Sequence, residues 1–309
     1  MTKKTTIKDI AKALNTNIST VSRALNDSPL ISPKTKKEVL EMAKKLSYSP
    51  NSIARQLREG KSKTIGLLVP RINREFFSNI IHGVQTYANQ AGYRVLLMQS
   101  NESNEEEKAA LDVLVSQNVA GIIMSRALDS QDAALAKLLQ KQEIPLVMMD
   151  RVIRKEGISA VVNDNEQGAF MAVEHLIQEG YRKILHFGGD LDMHIYQERF
   201  EGYKKALQKA GIPFDESRVF IPVLTRQQGE DKMREILEAE LEFDAIFSSG
   251  DLSALSAYLV LKEKGYRLPE DVGLVGFANE FFTELLGISS VEQFSIEMGE
   301  KASQLLFEK

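Results

Sequence analysis

The sequence of 309 residues predicts a small all-α head followed by a larger α/β body. Three observations support this division. Within the first 50 residues, apolar side chains recur at helical spacing in three short stretches. From Thr64 onward, short apolar runs alternate with helical patterns, which is typical of parallel sheets covered on both faces. Charge divides at the same place, because residues 1–63 carry 14 basic and 5 acidic side chains whereas the rest carries 25 and 38.

The predicted head begins with three short amphipathic helices. The first has apolar side chains at Ile7, Ile10, Ala11 and Leu14. The second has them at Val21, Ala24 and Leu25, and the third at Val39, Met42, Ala43 and Leu46. Each set falls on one helical face. Asn17 is a suitable N-cap for the second helix, and Ser32 followed by Pro33 is a typical start for the third.

The outward face of the second helix carries Ser19, Thr20 and Arg23. Short donors and one forked donor near a helix N-terminus are what a recognition helix places against base edges in the major groove. The alternative is an ordinary three-helix bundle with a solvated basic face. The charge division favours a DNA-binding helix-turn-helix, because a basic head attracts phosphates while an acidic body stays away from them.

Residues 50–63 connect the head, residues 1–49, to the body, residues 64–309. Pro50 ends the preceding helix, and residues 51–58 can form about two helical turns, a length that is marginal in water on its own. One interpretation is a plain linker. The other is a hinge helix that folds on DNA, with Leu57 wedged into a minor-groove base step and Arg55 and Arg58 reaching phosphates.

The body contains two series of predicted strands. The first comprises residues 64–70, 94–99, 120–125 and 144–150, with helices near 76–91, 104–117 and 130–142. The second comprises residues 158–164, 183–189, 217–223, 243–249 and 272–278, with helices near 165–179, 196–211, 227–239 and 252–265. They predict two doubly wound parallel-sheet subdomains, about 64–157 plus 289–309 and about 158–288. Ligands of such sheets bind beyond the strand C-termini, so a pocket is expected in the cleft between the subdomains.

Polar and aromatic side chains follow the predicted strands where that pocket is expected. The candidates are Phe76, Phe77, Arg151, Asp164, Arg199 and Asp251. Aromatic faces combined with forked or carboxylate groups suit sugars and nucleosides, whose hydroxyl groups are fixed by hydrogen bonds. Each polar candidate also has a simpler interpretation. Asp164 or Asp251 can cap the following helix, and Asp150 with Arg151 can be an ion pair.

The head resembles the DNA-binding domain of the LacI/GalR family of bacterial regulators. The segments TIKDIAKALN, STVSRALN, YSPN and ARQLR match that family's pattern in order and spacing. The resemblance implies that Ile18, Ser19 and Arg23 read bases and that Leu57, with Arg58 beside it, enters the minor groove. The expected DNA-binding residues are therefore Thr6, Ile18, Ser19, Thr20, Arg23, Asn26, Arg55, Leu57 and Arg58.

The resemblance continues through the body. The pairs Asp150-Arg151 and Asp164-Asn165, the pattern R-x-x-G-[FY] at Arg199 and the pattern GD-x-x-A at Asp251 recur at that family's effector pocket. They imply a periplasmic-binding-protein type of body and a sugar or sugar phosphate as effector. One departure concerns the loop after the last strand, where the family usually has an aspartate. Ala278 stands there, and Asn279 is the expected substitute.

The sequence offers little for catalysis or metal binding. It contains no P-loop and no G-x-G-x-x-G, and His82, His175, His186 and His194 lack metal-ligand spacing. We therefore expect no enzyme activity, no cofactor and no metal. No cysteine, no apolar leader and no apolar run of about 18 residues are present, which favours a cytoplasmic protein without a membrane segment.

Together these observations predict a sequence-specific regulator of transcription, a repressor in the simplest case, controlled by a small molecule. It is expected to bind a double-stranded DNA operator as a homodimer, with one head on each half-site. The competing hypothesis is a sugar-binding sensor with no DNA-binding role, which the basic head disfavours. An enzyme acting on sugars is a weaker alternative, since no catalytic constellation is found.

Overall fold

The structure, a computed structural model, describes residues 5–48, 62–130, 144–153 and 157–308. The chain divides into two compact units after Lys61. The first is helical, and the second contains two parallel five-stranded sheets with helices. The predicted fold class is therefore confirmed. In the described residues no helix is both long enough and apolar enough to cross a membrane.

The described part of the head consists of α1 (Ile7–Ala13), α2 (Ile18–Leu25) and α3 (Pro33–Lys45). The apolar faces predicted from spacing meet in one core, which contains Ile10, Ala11, Val21, Ala24, Val39 and Ala43. Local hydrogen bonds set the helix starts. Thr6 N donates to Asp9 Oδ2 at 2.8 Å in a capping box, and Ser32 Oγ accepts from Thr35 N at 3.2 Å.

The first subdomain of the body is built on a parallel sheet with the order β2-β1-β3-β4-β5. Its elements are β1 (Thr64–Val69), α4 (Glu75–Gln90), β2 (Arg94–Gln99), α5 (Asn104–Ser116), β3 (Ile122–Met124), β4 (Leu146–Met149) and β5 (Ser159–Val161). The strands β1, β3 and β4 are almost entirely buried, as expected for strands covered on both faces.

The second subdomain has a parallel sheet with the order β10-β9-β8-β6-β7. Its elements are α6 (Asn165–Gln178), β6 (Ile184–Phe187), α7 (His194–Lys209), β7 (Val219–Phe220), α8 (Arg226–Glu238), β8 (Ala245–Ser248), α9 (Asp251–Glu263), β9 (Gly273–Ala278), α10 (Phe281–Leu286) and β10 (Ser289–Glu292). The chain ends with α11 (Ser295–Phe307), whose Met298, Ala302 and Leu306 join the core of the first subdomain.

Strand pairing corrects the expected grouping at two places. Residues 158–164 were assigned to the second series, but β5 pairs with β4, with Ala160 opposite Met148. Residues 289–309 are predicted to belong to the first subdomain. The helix α11 does join the core of that subdomain, but β10 pairs with β9, with Val291 opposite Phe277. Apolar periodicity reports burial and not the identity of the neighbouring strand, so it cannot locate such crossovers. The predicted helix near 130–142 lies outside the described residues except for residue 130, and the hinge and linker segment, residues 50–63, lies outside them except for residues 62 and 63.

Candidate functional site

The outward face of α2 is exposed in the described residues of the head. Ser19, Arg23 and Asn26 follow each other at helical spacing on this face, and all three are exposed. Ile18 at the helix start is 45% exposed. Within the described part of the chain, the side chains of Ser19 and Arg23 make no hydrogen bond. Their donors are therefore available to a partner, as base reading requires.

Two other predicted DNA-binding residues are engaged within the head. The Thr6 hydroxyl donates to Asp9 Oδ2 at 2.7 Å, as part of the capping box of α1. Asn26 Nδ2 donates to the carbonyl oxygen of Ser22 at 2.6 Å. Thr20 is half-buried on the flank of α2. The hinge candidates Arg55, Leu57 and Arg58 lie outside the described residues.

A cavity of about 210 Å³ lies in the cleft between the two subdomains of the body. Its lining includes Arg71, Arg74, Phe76, Phe77, Glu102, Asp150 and Arg151 from the first subdomain, and Tyr196, Arg199, Ser249, Asp251, Phe277, Ala278 and Glu280 from the second. Five of the predicted residues thus converge there, namely Phe76, Phe77, Arg151, Arg199 and Asp251. The volume is below the roughly 300–1,000 Å³ of pockets for drug-sized molecules, which suits a smaller ligand.

Arg199 is the most firmly positioned cation of the cleft. It is 4% exposed, and its Nε donates to Asn165 Oδ1 at 3.0 Å while its Nη1 donates to the carbonyl oxygen of Ser249 at 2.8 Å. Its guanidinium carbon lies 3.8 Å from the centroid of the Phe277 ring. Burial lowers the pKa of Arg199, and nearby acidic groups such as Asp150 oppose that shift.

Arg151 is positioned mainly by a residue distant in sequence. Its Nη1 donates to Glu102 Oε2 at 2.6 Å, whereas its Nε lies 3.9 Å from Asp150 Oδ2. The ion pair with Asp150 is therefore present but is the weaker of the two contacts. The Arg151 guanidinium also lies over Phe77, 5.7 Å from the ring centroid, which links the cation to the aromatic wall of the cleft.

Asp251, the first residue of α9, fixes the loop that follows β9. Its Oδ2 accepts from Glu280 N at 2.9 Å, and its Oδ1 accepts from Ser290 Oγ at 2.7 Å. Gly276 makes this arrangement possible, because a Cβ there would lie 2.0 Å from Asp251 Oδ1. The carboxylate therefore organises the cleft wall, and it does not cap α9, whose N-cap is Gly250. Burial raises the pKa of Asp251.

The structure does not bring Asp164 and Asn279 to the cavity. Asp164 is the exposed N-cap of α6, and its Oδ1 accepts from Gln167 N at 2.9 Å. Its neighbour Asn165 is the buried residue of the pair and contacts Arg199 instead. Asn279 is exposed, and its Nδ2 donates to Glu292 Oε2 at 2.8 Å. Glu280, the next residue along the chain, lines the cavity.

The lining residues that the sequence does not predict include Glu102, Tyr196 and Glu280. It also misses Asn165, which accepts a hydrogen bond from Arg199. Asn165 was visible as the second half of the Asp164-Asn165 pair, but spacing alone did not show which of the two faces the cleft. Tyr196 stands three positions before Arg199, one helical turn away on α7, and that spacing was a usable signal. Glu102 and Glu280 stand in loops, where no periodicity indicates direction.

Comparison with known proteins identifies the family. Residues 6–51 match the description "Bacterial regulatory proteins, lacI family", and residues 62–308 match "Periplasmic binding proteins and sugar binding domain of LacI family". The chain belongs to the LacI family. It is therefore a DNA-binding regulator of transcription with an effector-binding body, and not an enzyme. The hypothesis of a sensor without a DNA-binding role is excluded, because the head itself matches the family.

Individual relatives in the LacI family align over nearly the whole chain. The transcriptional regulator RegA of Clostridium saccharobutylicum is 31% identical, over 98% of this chain and 91% of the relative. The repressor PurR of Pasteurella multocida is 30% identical over the same shares. The solved complex of the regulator CelR with cellobiose is 31% identical, with a TM-score of 0.73 over 99% of this chain and 93% of that one.

The Lac repressor dimer bound to its operator is also similar in structure. Its TM-score is 0.88 over 99% of this chain and 92% of that one, at 24% identity. At this identity the similarity concerns the fold. It agrees with the two parallel sheets described above.

Proposed function

We propose that this LacI-family chain is a repressor that binds a near-palindromic operator as a homodimer and responds to a small sugar-like molecule in the cleft. The observation that carries the proposal is the convergence of aromatic rings and buried guanidinium groups on one cavity. Phe77 lies beside Arg151, and Phe277 lies beneath Arg199. Such pairs suit a ligand with apolar C–H faces and a rim of hydroxyl groups.

On the DNA side, Arg23 is proposed to read a base pair in the major groove, with Ser19, Thr20 and Ile18 beside it. A guanine presents two acceptors that match a guanidinium fork. Arg55, Leu57 and Arg58 are proposed to act as the hinge that enters the minor groove. Two heads fit two half-sites related by the dimer axis, and the description of the Lac repressor as an operator-bound dimer supports this arrangement. Because a bacterial operator lies in the cytoplasm, the protein is proposed to act there.

On the effector side, the cavity volume favours a ligand about the size of a single sugar ring, with or without a phosphate. The cellobiose bound to the relative CelR supports a carbohydrate as the class of ligand. Ligand contact is proposed for Phe76, Phe77, Arg151, Arg199 and Asp251, the last through the loop that it holds.

Closure of the cleft is proposed to couple ligand binding to DNA affinity. In the structure Phe281 N donates to Glu75 Oε2 at 3.0 Å, which joins the first residue of α10 to the first residue of α4. A ligand between the subdomains changes the balance between closed and open arrangements, provided that it binds one of them more tightly. DNA affinity then changes with the same equilibrium.

The proposal is tested by selecting binding sites from random DNA with the purified full-length protein. The expected result is a palindromic motif with two equal half-sites, whose occupancy changes when one sugar of a panel is added. Recovery of a single unpaired half-site would contradict the homodimer. Occupancy that ignores every sugar and sugar phosphate of the panel would contradict the proposed effector class.

A further inference from the structure

Ala278, the last residue of β9, and Asn279, the first residue of the loop that follows it, offer no free polar side-chain group to the cavity. Ala278 lines the cavity but ends in a methyl group. Asn279 is exposed, its side chain donates to Glu292, and its backbone N donates to Ser290 Oγ at 2.9 Å. The expected substitution by Asn279 is therefore not supported by its hydrogen bonds.

Glu280 meets the geometric requirement. Its backbone is fixed, because its N donates to Asp251 Oδ2 at 2.9 Å and its carbonyl oxygen accepts from Thr283 Oγ1 at 2.8 Å. Glu280 lines the cavity, and no hydrogen bond to its carboxyl group is found among the described residues. A half-buried carboxyl normally has a partner, so a positioned carboxyl without one is available to a ligand.

The surroundings of Glu280 make ionisation of its carboxyl group unfavourable. The charged groups that face it are Asp251 on α9, Glu75 on α4 and Arg74 just before α4. Burial, followed by the charges of Asp251 and Glu75, raises the pKa of Glu280 to about 7, and Arg74 opposes the shift only in part. A carboxyl retained in an unfavourable environment inside a cleft is typical of a functional residue rather than of a stabilising one.

We propose that Glu280 is the specificity-determining residue of the loop between β9 and α10 and that it binds a hydroxyl group of an uncharged, sugar-like effector. This inference rests on the proposed function and places one hydroxyl group of the ligand against Glu280. A phosphate group placed there would meet the carboxyl groups of Asp251, Glu75 and Glu280. A ligand hydroxyl, in contrast, can donate to the carboxylate or accept from its protonated form.

The first test needs no ligand. Thermal unfolding of the full chain is compared for the wild type and Glu280→Gln at pH 5 and pH 8. Because the pKa of Glu280 is raised in the folded state, the free energy of unfolding falls as the pH rises from 4.5 to about 7, and glutamine removes that loss. We expect the melting temperature of Glu280→Gln to exceed that of the wild type by about 2–4 °C at pH 8 and to match it at pH 5.

The matched control is Glu284→Gln, the same substitution at an exposed position of α10, for which no change is expected at either pH. A lower melting temperature of Glu280→Gln at pH 8 would overturn the proposal. It would show that Glu280 stabilises the fold as a partner of Arg74 and is not reserved for a ligand.

The second test uses glucose, galactose, ribose, glucose 6-phosphate and ribose 5-phosphate as probes in isothermal titration. We expect one uncharged sugar to bind and its affinity to fall about tenfold or more in Glu280→Gln, because a charge-assisted hydrogen bond is lost. Asn279→Ala and Glu284→Gln should retain the wild-type affinity. A larger loss in Asn279→Ala than in Glu280→Gln, or a sugar phosphate bound equally well by wild type and Glu280→Gln, would overturn the assignment.

The two failures are distinguishable. If none of these probes binds the wild type, the sugar class of the proposed function is contradicted, whereas the unfolding comparison still decides whether Glu280 is a reserved carboxyl. If a sugar binds and Glu280→Gln changes neither its affinity nor the melting temperature, the proposed function stands and the role of Glu280 is refuted.

Discussion

Arg23 of the head and Arg199 of the cleft differ in solvent exposure and in hydrogen bonding. Arg23 on α2 is exposed, and its side chain makes no hydrogen bond within the described part of the chain, so the partner of its guanidinium group must come from outside. Arg199 is 4% exposed, donates to Asn165 and Ser249, and packs on Phe277. The side chains of a DNA-reading surface can remain solvated until DNA binds. The polar groups of a small-molecule pocket, in contrast, must be preorganised by hydrogen bonds and packing. Substitution of Arg23 should therefore change DNA recognition without changing the stability of the head. Substitution of Arg199 should change both the ligand response and the stability of the body.

The largest expected effect is that of Arg199→Met. The change removes a buried cation that lies near Asp150 and Asp251. Asn165 Oδ1 and the carbonyl oxygen of Ser249 also lose their donor. We expect the free energy of unfolding of the body to fall by about 2–6 kcal/mol, because each of the two buried acceptors left without a donor costs about 1–3 kcal/mol. Urea denaturation of the full chain measures this.

Arg23→Met is the matched control for that experiment, because it makes the same chemical change at an exposed position. The free energy of unfolding should stay within about 0.5 kcal/mol of the wild type. A similarly small loss in the free energy of unfolding for both variants would contradict this difference between the two regions. It would show that the contacts of Arg199 do not stabilise the cleft.

A pH effect of comparable size is expected in the body alone. His186 on β6 is fully buried among the rings of Phe200, Tyr203 and Phe247, and burial lowers its pKa to about 3. In the unfolded chain His186 becomes protonated as the pH falls below about 6.5, whereas in the folded body it stays neutral down to about pH 3. Stability is therefore lost as the pH falls from 6.5 towards 3, by roughly 1.4 kcal/mol per pH unit.

The measurement is the unfolding of wild type and His186→Phe between pH 4 and pH 7. The difference between the two isolates this histidine from the carboxyl groups of the cleft, whose raised pKa values act in the opposite direction. Residues 1–63 contain no histidine, so this contribution is absent from the head. A difference that stays constant with pH would refute the assignment to His186.

The smallest effect concerns base reading. Arg23→Ala should remove the preference at one base pair of each half-site, worth about 1–3 kcal/mol of discrimination, and leave the unfolding of the head unchanged. Selection from random DNA with the variant measures the preference at every position of the site. An unaltered motif would place the base-reading face of α2 elsewhere.

The same contrast explains what the sequence predicted. The head depends on contacts close in sequence, such as the apolar spacing of α1 and the cap at Ser32, and these can be derived without knowing the fold. In the body, buried strands were visible as apolar runs, but the neighbours of β5 and β10 were not, since pairing depends on where the chain crosses between the sheets.

The cleft shows the same limit at single residues. Arg199 was found through its motif, yet Asn165, which positions it, stands 34 residues earlier. Glu102, the partner of Arg151, stands 49 residues earlier. The adjacent Asp164 and Asn165 differ only in direction, because the first is turned back to cap α6 and the second points inward. Such directions follow from the packed structure, and spacing does not determine them.

We propose that the cleft and the head share one conformational equilibrium. The most direct test of this proposal is the affinity of the full-length protein for the sugar that it binds, measured by isothermal titration with the free protein and with the protein saturated by its selected DNA. Because coupling is reciprocal, the account predicts dissociation constants that differ by about 5- to 150-fold, and Arg199→Met should bind DNA without responding to the sugar. Equal dissociation constants in the two states would contradict the account.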